Sequence, residues 1–75
     1  IERPKIEYFL DIAKTPALAL PLAHKSWESQ QEPADALLLL RASLETGDKK
    51  GVELIRKWQQ KSGYEEPRLR NLLKK

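Results

Sequence analysis

Proline and glycine divide this chain at intervals that leave room only for short helices. They stand at Pro4, Pro16, Pro21, Pro33, Gly47, Gly51, Gly63 and Pro67. Proline at a first helical position gives up a donor that would have no partner anyway, and glycine takes the left-handed conformation that closes a helix. The segments between are leucine-rich, with thirteen leucines against one valine, four isoleucines and two threonines. That balance favours helix over strand, because β-branched side chains lose rotamer freedom in a helix and pack well on a pleated surface. The expected fold class is all-α, a compact bundle of about five short helices around a central Leu-rich helix.

The first helix is expected over residues 4–14, where Ile6, Phe9, Leu10 and Ala13 form one apolar stripe. Thr15 and Pro16 then read as an N-cap followed by a first helical residue. Pro21 falls where a helix begun at Pro16 would need a backbone donor, so the chain is expected either to bend near Leu20 or to run extended from Ala17 to Leu20 and restart at Pro21, the restart being preferred. From Leu22 to Gln31, Leu22, Ala23 and Trp27 face inward, while His24, Lys25, Glu28 and Gln31 take wetter positions.

A third helix opens at Pro33 and closes at Gly47. Leu37, Leu38, Leu39 and Leu40 cover every side of it, which marks residues 34–44 as the buried post of the bundle. Asp48 caps a fourth helix over residues 49–62, closed by Gly63, with Leu54, Ile55 and Trp58 inward and Val52 at the margin. Pro67 starts a last helix whose apolar stripe is Leu69, Leu72 and Leu73.

At 75 residues the chain is one domain, residues 1–75. It has no cysteine, so neither a disulfide nor thiolate zinc ligation can staple it. Its longest strictly apolar run, Ala36 to Leu40, is far short of the roughly 20 residues that span a bilayer, so no membrane residence is expected. The chain opens with Ile1 and shows no secretory leader, which reads as an excised domain or a processed product, with a piece of a larger protein preferred. The absence of cysteine is compatible with a reducing compartment, and an intracellular, cytoplasmic setting is the expectation.

Catalytic signatures are missing. His24 is the only imidazole, so a paired-histidine metal site cannot form, and Ser26, Ser29, Ser43 and Ser62 lack a glycine-flanked elbow. Glu7 with Asp11 reads as a solvated face, and Glu65 with Glu66 as negative charge ahead of a helix N-terminus. The glycines form no phosphate-cradling loop. The expectation is a non-enzyme without cofactor or metal. Trp27 and Trp58 share faces with aliphatic residues and are assigned to the core; Tyr8 and Tyr64 are assigned to its rim.

Charge is what remains. Residues 1–40 carry four basic and six acidic side chains, whereas residues 41–75 carry ten basic and five acidic, for a net charge of +3. Helical phasing collects Lys49, Lys50, Arg56, Lys57 and Lys61 on the back of the fourth helix, and Arg68, Arg70, Lys74 and Lys75 on the last. These nine residues are the candidate binding set. Two readings follow, apart from the plain one that the charge keeps the domain dissolved. The first is a docking or regulatory module that meets an acidic protein partner through the basic face, or accepts a helix in an apolar groove beside Leu37 to Leu40. The alternative is a nucleic-acid-binding domain that contacts phosphates through the same two helices.

Overall fold

The computed structural model describes residues 3–74. In order these form α1 (Arg3–Glu7), a π-helical turn (Tyr8–Ile12), α2 (Pro16–Ser29), α3 (Pro33–Thr46), α4 (Lys49–Ser62) and α5 (Pro67–Leu73). The architecture is an all-α bundle. Prolines open α2, α3 and α5, and Gly47 and Gly63 close α3 and α4 at φ 76° and 69°. Among the described residues no helix is long and apolar enough to cross a membrane.

α3 is the post of the bundle, touched by α1, α2, α4 and α5. Ala36, Leu38, Leu39, Leu40 and Ala42 are buried on it, Leu37 and Leu44 are half-buried, and Ala34 is exposed. Its broadest partner is α2, which lays Ala19, Ala23 and Ser26 along one line at i, i+4 and i+7. Such small side chains let two helix backbones approach closely. Ile6 and Leu10 close the core on one flank, and Ile55 and Leu69 close it on the others.

Two segments depart from expectation, and each has a tertiary cause. α2 does not restart at Pro21; it runs unbroken from Pro16 to Ser29. The ring and the carbonyl it frees, on Ala17, belong to exposed residues, so the lost bond falls on the solvent side of the helix rather than in the core. The opposite face carries the buried line of Ala19, Ala23, Ser26 and Trp27, which only a continuous helix can present to α3.

The first helix is α-helical only to Glu7, then widens into a π turn in which the Ala13 amide donates to the Tyr8 carbonyl at 2.9 Å. Lys14 ends it in the left-handed region at φ 56°, while the Thr15 amide reaches back to the Phe9 carbonyl at 2.7 Å. This is a helix-closing arrangement usually given to glycine. Thr15 takes the N-cap position of α2 without a side-chain cap bond, and its hydroxyl is buried without a partner.

α4 is brought against α3 by a contact that helical periodicity does not announce. Gly51 is buried, and a Cβ placed there would stand 2.9 Å from the Cβ of Ser43, which is itself fully buried. Gly51→Ala should therefore push α4 away and cost about 1–3 kcal/mol in chemical denaturation. Ser43→Gly in the same chain should recover much of that loss. Ser43→Ala alone should be neutral or stabilising, because the Ser43 hydroxyl is buried without a hydrogen-bond partner.

Candidate docking interface

The candidate surface begins with what holds α4 in place. Asp48 stands at its N-cap position but makes no side-chain cap bond there; its carboxylate lies 2.7 Å from His24 Nε2 on α2. The imidazole holds the Asp48 carboxyl below the usual carboxylate range, against the opposing effect of burial, and the Gly51 and Lys50 amides add a smaller pull. The sole histidine thus clips α2 to the start of α4. Farther along, Ile55 is fully buried and Trp58 is half-buried, its ring 5.6 Å from Trp27 at 83° and 5.8 Å from Tyr64 at 46°. These are favourable edge-on and tilted aromatic arrangements.

With that inner face fixed, the outer face of α4 is set by helical geometry of about 100° per residue. Lys50, Lys57 and Lys61 are all exposed and fall within about 40° of one another. None takes part in an ion pair among the described residues. Leu54 sits in the same stripe and is 37% exposed. This corrects its inward assignment. It lies about 100° from Ile55, and the inner face of α4 is too narrow to reach it. Lys49 is exposed too, but on the flank that also carries Glu53.

The arginines among the candidates are otherwise engaged. Arg56 is half-buried, 3.8 Å from Glu53, and reaches across to the Leu73 carbonyl at 3.4 Å, so it ties α4 to the end of α5. Arg68 donates to Glu66 at 2.9 Å, and Arg70 pairs with Glu65. Glu66 also caps α5 by accepting from the Leu69 amide at 2.8 Å; Arg68 first, and that amide second, hold its carboxyl below the usual range. Lys74 is exposed, and Lys75 lies outside the described residues. Because Arg56 marks the side of α4 nearest α5 and stands about 100–140° from the lysine stripe, the α4 lysines and the α5 cations form two surfaces.

An apolar groove does lie beside the leucine helix. It measures about 700 Å³ and runs between α3 and α5, with Leu37, Leu44 and Leu72 as its apolar lining. Its charged rim is already committed in large part. Arg41 is bound to Asp11 at 2.5 Å, holding that carboxyl below its usual range, and Arg68 is bound to Glu66. Glu45 offsets what positive charge remains.

Compared with protein-family models, with curated proteins and with solved structures, the chain finds no match.

Proposed function

We propose that this domain is a non-enzymatic docking module that binds an acidic segment of a partner protein through Lys50, Leu54, Lys57 and Lys61 of α4. One observation carries the reading: three exposed lysines, without ion-pair partners among the described residues, line up around an exposed leucine. Aligned cations raise the local positive potential and steer an anionic partner, while the apolar centre supplies contact area that charge alone does not. The groove between α3 and α5 lacks this complementarity, because its rim is close to neutral.

A protein partner is favoured over a nucleic acid by the arginines. Their planar forks suit phosphate, yet Arg56, Arg68 and Arg70 are occupied by carboxylates or a carbonyl of the same chain. Titration against an acidic peptide and against short DNA and RNA duplexes, each at low and high salt, tests the choice. The triple variant Lys50→Glu, Lys57→Glu, Lys61→Glu should bind the peptide about 10- to 100-fold more weakly with an unchanged circular dichroism spectrum. Unchanged peptide affinity would sink the reading. Tight duplex binding that falls steeply with salt, without peptide binding, would replace it with phosphate recognition.

A further inference from the structure

The stripe on α4 has a spacing as well as a charge. Lys50, Leu54, Lys57 and Lys61 follow one another at steps of four, three and four residues. Those are the steps of a seam along which two α-helices pack side by side. At a rise of about 1.5 Å per residue, the four positions fall near 0, 6, 10.5 and 16.5 Å along the axis. We infer that the partner segment is itself an acidic amphipathic α-helix laid along α4, a refinement that rests on the docking reading above. Its apolar residue meets Leu54, with carboxylates one turn to one side and one and two turns to the other.

The alternatives fit the seam less well. An extended segment presents a side chain on one face only about every 6.7 Å, so it matches the first two positions and misses the next two. A helix presents side chains at all four. A second copy of the same face is disfavoured by charge, because an antiparallel pairing of two α4 helices would set Lys50 against Lys61 and Lys57 against Leu54, and the nearest acid, Glu53, flanks the stripe beside Lys57 and faces Arg56 at 3.8 Å. The lysines suit an acidic helix for a further reason. Their long aliphatic stems can lie along the partner's apolar face while the ammonium groups reach its carboxylates.

α4 is a firm platform for such packing. Gly51 and Ile55 bury its inner side, and the Asp48–His24 contact pins its start. Half-buried Trp58 lies one turn from both Leu54 and Lys61, so its fluorescence should respond to a helix seated there.

The test uses the 75-residue chain and two peptides of about 15 residues built from Leu, Glu and Ala. One carries leucine with glutamates at the matching helical spacing; the other is identical except for a central proline that breaks the helix. The first should bind at least about tenfold more tightly and gain helical circular dichroism on binding. Leu54→Ser should weaken it about tenfold while the domain keeps its folded, helical circular dichroism spectrum. Equal binding of both peptides, abolished by the triple lysine reversal, would overturn the helical partner and leave the docking reading standing. Binding of neither peptide would overturn both. Full binding by the Leu54→Ser variant would remove the seam as the site.

Discussion

Leu40→Ala should destabilise the domain by about 2–5 kcal/mol, one of the largest losses expected from any single substitution in it. Leu40 is fully buried on α3, the helix against which four others pack, so truncation leaves a cavity that several elements would have to close at once. In a chain this short, where net stability scales as about 0.05–0.15 kcal/mol per residue, that is a large share of the whole. Leu37→Ala is the internal control. Leu37 lies on the same leucine run but is half-buried at the edge of the groove, and the space left by truncation opens to solvent. Its cost should be well below that of Leu40→Ala in urea titrations of the two variants. Equal losses would mean that the α3–α5 groove is closed in solution.

Arg3→Met should give the other large effect, through a residue two helices away in sequence. Asp35 lies in the first turn of α3 with its side chain 1% exposed, and Arg3 holds it from α1 by two bonds of 2.8 Å, Nε to Oδ1 and Nη2 to Oδ2. The second guanidinium nitrogen also reaches Glu32 at 2.7 Å, and the Glu32 amide donates to Asp35 at 3.3 Å. Arg3 is the first cause that holds the Asp35 carboxyl below its usual range, against burial that would raise it. A depressed native pKa contributes stability that is present above the unfolded-state value of about 3.9 and is lost as pH falls through the native one.

Without Arg3 the largest cause that lowers the Asp35 carboxyl is gone, so its native pKa rises towards or past the unfolded-state value. The variant should be markedly less stable than the parent at pH 7, and the gap should narrow below about pH 4, where the parent loses the same contribution as Asp35 is protonated. Thermal unfolding across pH, together with NMR titration of Asp35, measures both halves. Adding Asp35→Asn to Arg3→Met should recover part of the neutral-pH loss, since no charge is then left unpaired. A pH-independent difference between parent and variant would mean that Arg3 acts through packing alone.

Much of the bundle is legible along the chain because helix ends are local. Pro33 and Gly47, Gly63, and Pro67 act within one turn of themselves; Asp48 marks the start of α4 by position although its carboxylate turns to His24, and the bounds of α3, α4 and α5 lie where these residues indicate. The central position of α3 is legible for a related reason: four leucines in succession cannot all avoid the core. The restart that Pro21 suggests does not form, because its local cost is outweighed by the α3 surface that a continuous α2 covers. Gly51 looks in sequence like a modest weakness in a helix, and its role exists only because Ser43 lies opposite it.

The candidate surface divides in the same way. That the second half of the chain is basic, and that α4 carries most of its cations outward, follows from composition and a 3.6-residue period. Which cations are engaged does not follow from either, since Arg56 is turned to the end of α5, Arg41 to Asp11 and Arg3 to Asp35, across separations of 17, 30 and 32 residues. Hydrophobicity alone puts Leu54 inside, yet it stands at the surface because Gly51, Ile55 and Trp58 already fill the contact with the core. The sequence by itself determined the helices, their ends and the sign of the surface, because these depend on neighbours within a turn. Only the tertiary structure decided how wide a strip of each helix is covered and which charges find partners, because both depend on side chains far apart in the chain.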